Sequence, residues 1–194
     1  MYSGDMDARE QLIETMRELM GERGYVGTSP RAILSRAGVG QGSMYHHFDG
    51  KAGLAAEALR RNADAMRGDG EAVFDAGGPV LDRIRVYLRR PREVLQGCRI
   101  GRMTEDPDVI GDAVLRKPIE ETLAWYERRI AELLAEGQES GELAAGFVPG
   151  QVAAAIVAVV QGGYVLAKAA QSVEPFDNAI EGAVTLLTGL RGER

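Results

Sequence analysis

One cysteine, Cys98, and two adjacent histidines, His46 and His47, are all the thiol and imidazole in this 194-residue chain. A single cysteine excludes an intramolecular disulfide and suits a reducing, cytoplasmic setting. Two histidines and one cysteine cannot assemble a usual zinc site. Neighbouring helical residues also diverge by about 100°, so neither a metal nor a cofactor is expected. Catalytic signatures are missing too. There is no G-x-S-x-G, no phosphate-binding P-loop, no G-x-G-x-x-G after a strand and no H-E-x-x-H, and the expectation is that the chain is not an enzyme. Aromatic residues make up only 6%. Alternating runs of Val, Ile and Thr bounded by turns are lacking, which argues against strands. The opening MYSGDMDARE has neither the basic nor the apolar stretch of a signal peptide. The most apolar segment, Val152 to Val160, is short and flanked by Gln151 and Gln161, so no membrane span is expected.

An excess of positive charge is also absent. The formal net charge is −6, which excludes a generic polyanion binder but not a local basic patch. Residues 25–61 carry five basic side chains (Arg31, Arg36, Lys51, Arg60, Arg61) against Asp49 and Glu57, a net of +3. Residues 68–194 carry 14 basic and 20 acidic side chains, a net of −6.

Within that basic window, residues 28–51 read TSPRAILSRAGVGQGSMYHHFDGK. Thr28 and Ser29 place a capping hydroxyl before Pro30, which suits a first helical position. Ile33, Leu34 and Ala37 follow at helical spacing. Gly38 ends that helix, because glycine takes the left-handed conformation cheaply. Val39 plugs the turn. A second short helix starts at Gln41, with Met44 and Phe48 inward and Gln41, Ser43, Tyr45 and His47 outward. Two short helices joined by a tight glycine turn form a helix-turn-helix, whose second helix reads the DNA major groove.

The stretch resembles the DNA-binding signature of the TetR family of bacterial transcriptional regulators. Ser29, Arg31, Ile33, Ala37, Gly38, Val39, Gly42, Tyr45, His47, Phe48, Lys51 and Leu54 fall on the family pattern in order. Gly40 departs from it, standing where a capping Ser is usual. The run Gly97-Cys98-Arg99-Ile100-Gly101 resembles one found in a subset of the family. The resemblance implies an all-α fold of about nine helices. An N-terminal three-helix DNA-binding domain (1–68) would join a ligand-binding and dimerisation bundle (69–194) through helix four. It also implies a homodimer through the last two helices, a near-palindromic DNA operator and a small, mostly apolar effector that releases a repressor.

The rest of the chain reads as helices. The first covers about Asp7 to Gly21, with Leu12, Ile13, Met16, Leu19 and Met20 as its apolar stripe. The fourth runs from Lys51 towards Met66, and Gly68, Gly70, Gly77 and Gly78 suggest a looser connection after it. A fifth spans Pro79 to Arg90, which Pro91 ends or kinks. A short sixth opens at Gly97. A seventh covers Val109 or Pro118 to Glu139, an eighth Pro149 to Gln171 and a ninth Phe176 to Leu190.

Family positions and side-chain chemistry select Ser29, Arg31, Gln41, Gly42, Ser43, Tyr45, His47 and Lys51 as the DNA-facing set. Gln41 suits bidentate pairing with adenine, and Ser43 suits base edges or phosphate. Arg31 suits guanine or phosphate, and Tyr45, His47 and Lys51 suit phosphate. His46 reads equally as an exposed spacer. In the bundle, Tyr87, Met103, Trp125, Tyr126, Gln161 and Tyr164 are candidate pocket residues, since aromatic and soft side chains line such pockets. Gln161, Tyr164 and Lys168 share helical spacing and belong to a pocket or to a dimer face. Two alternatives stay open: a ligand-binding helical protein without specific DNA binding, and a regulator switched at the Cys98 thiol.

Overall fold

The computed structural model describes residues 3–192, and among them nine α-helices account for nearly all regular structure. They are α1 (Ser3–Arg23), α2 (Pro30–Ala37), α3 (Gln41–His47), α4 (Gly50–Phe74), α5 (Val80–Arg89), α6 (Pro107–Gly111), α7 (Ala113–Glu139), α8 (Pro149–Ala170) and α9 (Glu174–Thr188). Two short 3-10 turns follow α5, Val94–Gln96 and Gly101–Glu105, and the second overlaps the sixth helix expected to open at Gly97. The only β pairing among the described residues is one antiparallel bridge, Leu143 to Arg191.

The chain divides into two units. The first comprises residues 1–65 and 99–121; the second comprises 66–98 and 122–194. In the first unit, Leu12, Ile13, Met16 and Leu19 of α1 are fully buried. Ile33 of α2, Met44 of α3 and Leu54 and Leu59 of α4 are buried with them. Thr28 is buried as well, and its hydroxyl donates to the Gly24 carbonyl at 2.7 Å. Asp106 holds the turn before α2: its carboxylate accepts the Val26 N–H at 2.9 Å and also caps α6 through the Asp108 N–H.

In the second unit, helix α4 continues past Gly68 and Gly70 to Phe74, so the expected loose connection there is helical. The glycine at 70 is a packing requirement instead. A Cβ at Gly70 would lie 2.9 Å from ring atoms of both Trp125 and Tyr126, closer than packed carbon atoms allow. Phe74 lies against Tyr87, Trp125 and Tyr126, with ring centroids 4.9, 6.0 and 6.1 Å away. The chain leaves α5 at Arg90, because the residue before a proline is pushed out of the helical region. Arg90 adopts φ −56° and ψ 145° ahead of Pro91. Pro118, in contrast, lies inside α7 near its start.

Helix α8 departs from its sequence reading. Its most apolar 18-residue window has a mean hydropathy of 1.7, so the helix is long and apolar enough to cross a membrane. Only 28% of that window is buried within the chain. Its inner side, Ala153, Ile156, Val160, Gly163 and Ala167, packs in the second core with Phe176 and Ile180 of α9. Its outer side leaves Val165 and Leu166 more than half exposed.

Candidate functional site

Local chemistry builds the helix-turn-helix. Ser29 caps α2 with extended backbone, and its Oγ accepts the Ala32 N–H at 3.2 Å. Gly38 ends α2 in the left-handed region at φ 66°, where a side chain would be strained. Gly40 starts α3 with extended backbone but contributes no side-chain cap. Met44 is fully buried and fixes the rotation of α3. Gln41, Gly42 and Tyr45 are consequently exposed, and Ser43 and His47 are half-buried. His46 is exposed, with its ring 4.9 Å from that of His47.

Nothing within the chain explains the glycine at 42, since a Cβ there would meet no atom within 4 Å. A glycine inside an exposed helix costs about 0.5–1 kcal/mol relative to alanine. Close approach by another molecule would give it a purpose.

The basic patch is thinner than the sequence count suggested. Arg36 pairs with Glu22 at 2.6 and 3.0 Å. Those hydrogen bonds hold the Glu22 carboxyl below its ordinary range. Arg60 pairs with Glu57 and Asp64, and Arg61 pairs with Glu10. Arg31 is exposed and forms no ion pair among the described residues. Lys51 is half-buried, with its ammonium 3.9 Å from the centre of the Tyr25 ring. Burial lowers its pKa, and Asp106 and Asp108 oppose that shift.

The pocket candidates fall in different places. Tyr87 and Tyr126 are buried in the second unit, 5.4 Å apart, with Trp125 at 4.9 Å from Tyr126. Tyr164 packs on Phe176 at 4.9 Å. Gln161 is half-buried on α8, whereas Lys168 is exposed. Met103 is buried in the first unit, in the 3-10 turn Gly101–Glu105.

Sequence reasoning passed over Arg90 and Arg92. The Arg90 guanidinium lies 4.9 Å from the Tyr87 ring centre and 5.8 Å from that of Tyr126. Arg92 donates to the carbonyls of Tyr87, Leu88 and Arg90 at 2.6, 2.6 and 2.9 Å, closing the orphan acceptors at the end of α5. The one available signal was the sequence Arg89-Arg90-Pro91-Arg92, since a proline turns the chain where three guanidiniums would otherwise be solvated.

Comparison with known proteins decides the family. Residues 12–58 match the model described as bacterial regulatory proteins, tetR family, and residues 79–183 match the tetracyclin repressor-like C-terminal domain. The chain belongs to the TetR family. It is 31% identical to the transcriptional regulator AcuR of Cereibacter sphaeroides, over 76% of this chain and 70% of that protein. It is 28% identical to the transcriptional repressor DhaR of a Mycobacterium species, over 87% and 86%. Among solved structures, the reduced form of E. coli NemR is 25% identical, with a TM-score of 0.80 over 91% of this chain and 95% of that one. The chain is therefore a DNA-binding transcriptional regulator. Members of this family bind DNA operators and small-molecule effectors, typically as dimers.

Proposed function

We propose that this TetR-family regulator is a cytoplasmic repressor that binds a near-palindromic operator as a homodimer and is released by a small, mostly apolar effector. The observation that carries the DNA reading is the rotation of α3. Burial of Met44 leaves Gln41, Gly42 and Tyr45 facing outward with Arg31 exposed nearby in sequence. Gln41 reads base edges, and Arg31, Ser29, Ser43, Tyr45, His47 and Lys51 position the backbone. Two such helices in a dimer would enter major grooves about 34–36 Å apart.

The dimer reading rests on the outer faces of α8 and α9. Val165, Leu166 and Leu186 are 57, 55 and 76% exposed, and the small residues Ala154, Ala158 and Gly182 extend those faces. An apolar surface of that kind is typical of an obligate subunit contact. In a dimer it needs no membrane to cover it. DhaR and NemR are transcriptional repressors. Effector release follows if the ligand binds better to a state with mis-spaced recognition helices. Helix α4, which supplies residues to both units, is the proposed lever. The thiol switch has less support, because Cys98 is only 5% exposed.

Selection from a random duplex pool at two salt concentrations tests this reading. Recovery of a near-palindromic site, with affinity falling steeply as salt rises, is the expected result. Enrichment of nothing above background would sink it. Light scattering on the same preparation should give twice the chain mass, and a monomer would remove the dimer.

A further inference from the structure

Burying a cation is costly unless a carboxylate or a full set of acceptors receives it. The surface of this protein follows that rule: Arg89 at the end of α5 pairs with Glu181 at 2.6 and 2.7 Å. The next two guanidiniums break it. Arg90 and Arg92 are both half-buried, and neither meets a carboxylate among the described residues. Arg90 has one long hydrogen bond, to the Tyr126 hydroxyl at 3.4 Å, and its Nη1 is buried with no acceptor. Arg92 spends its terminal nitrogens on backbone carbonyls, and its Nε is also buried with no acceptor.

The surroundings do not supply the missing negative charge. Burial pushes the Tyr164 hydroxyl up to about 12 and Tyr87 higher still, so these phenols stay neutral at physiological pH. Tyr126 is shifted the same way by burial, and its hydroxyl donates to the Met66 carbonyl. Arg90 and Arg92 are among the residues lining an open cleft of about 470 Å³, within the size range of small-molecule sites. Leu88, Val94, Val173, Phe176 and Ile180 give it apolar walls, and Asp177 and the paired Glu181 also border it. Asp177 forms no ion pair with either arginine. The Arg90 guanidinium lies within cation–π range of Tyr87 and Tyr126. A planar guanidinium fork matches a carboxylate better than a point charge would.

We propose that the second unit binds a small organic carboxylate, its anion held by Arg90 with Arg92 beside it and its apolar body lying in the adjoining cleft. This assignment rests on the reading of that unit as the effector domain, and it adds a charge to an effector otherwise expected to be apolar. Arg90 is the primary anion ligand. Arg92 is a positioning residue, because its carbonyl bonds fix the turn that presents Arg90.

The test compares matched probes on the wild-type full chain by titration calorimetry: hexanoate against hexanamide, and benzoate against benzamide, with inorganic phosphate as a bare-anion control. Each acid is expected to bind about tenfold or more tightly than its amide and to raise the melting temperature by mass action. In Arg90→Met that preference should fall to near unity, with amide binding retained. Arg90→Lys should restore part of it. Equal binding of acid and amide, or no carboxylate binding up to about 10 mM, overturns the proposal. Phosphate binding as tightly as the acids also overturns it, since the site would then select an anion and not an organic acid. Keeping the acid preference in folded Arg90→Met would overturn the role of Arg90. The operator selection described above is read separately, so loss of the anion site leaves the DNA-binding reading intact, and the reverse holds.

Discussion

Both units of this chain pair surface arginines with carboxylates, and the second also holds two that are not paired. In the first, Arg36, Arg60 and Arg61 lie at the surface, and each is matched by a carboxylate. Exposed pairs of this kind contribute little, typically 0–1 kcal/mol, but they remove charge from the face beside the helix-turn-helix. For the proposed DNA contact that leaves a sparse set: Arg31, Lys51 and the polar side chains of α3. In the second unit, Arg90 and Arg92 are half-buried against tyrosines and backbone carbonyls, without a carboxylate. Charge is thus quenched at several exposed arginines and left without a carboxylate at two half-buried ones. On the proposed reading, that difference separates a surface selecting one DNA sequence from a cleft selecting one ligand. A strongly basic first unit would bind all DNA alike.

The largest expected effect comes from breaking the aromatic support beneath the half-buried arginines. Phe74 is fully buried and contacts three other rings. Phe74→Ala should destabilise the protein by about 3–5 kcal/mol, measured by urea denaturation. A loss under about 1 kcal/mol would mean that the cluster does not hold the second unit together. Next in size are the contacts of the first unit. Gln41→Ala should cost about 1–3 kcal/mol on the selected operator and relax its sequence preference. Lys51→Ala should weaken all sequences alike and reduce the salt slope by about 1. Because Lys51 lies over Tyr25, its variant should be checked for folding by circular dichroism. If both variants bind like the parent, the assigned DNA-facing set is wrong.

The glycine at 42 sharpens the contrast between stability and recognition. Gly42→Ala should stabilise the fold by up to about 0.5–1 kcal/mol, since its Cβ enters open space. The same variant should weaken operator binding, because the added methyl group keeps the backbone of α3 from the bases. Unchanged DNA affinity, measured by fluorescence anisotropy, would show that α3 does not approach closely at that residue.

What could be read in advance tracks how local the cause is. The ends of α2 were legible because Ser29, Pro30 and Gly38 act on their own neighbours. The burial of Met44 was legible from helical spacing alone. The extent of α4 was not, because Gly68 and Gly70 read as breakers. The reason for Gly70 lies in Trp125 and Tyr126, more than fifty positions later. The quenching of the basic patch was hidden for a similar reason: Glu22 and Glu10 lie outside the window that contains Arg36 and Arg61. Arg90 and Arg92 look like solvated charges in sequence, and only the tyrosines folded around them show otherwise. The apolar outer face of α8 was underestimated because Gln151 and Gln161 interrupt it in sequence.

The smallest expected effect concerns the start of α3. Gly40 occupies the capping position with φ −72° and ψ 157°, a conformation open to any residue. The site therefore does not need glycine, and a serine there adds an acceptor for an orphan N–H of the first turn. Gly40→Ser should stabilise the protein by a few tenths of a kcal/mol, resolved as a shift in urea midpoint with unchanged slope. Operator affinity should rise or stay level, because a better-capped helix presents Gln41 with less disorder. If affinity falls while stability rises, the looseness left by Gly40 serves recognition, and α3 adjusts its first turn on meeting the groove.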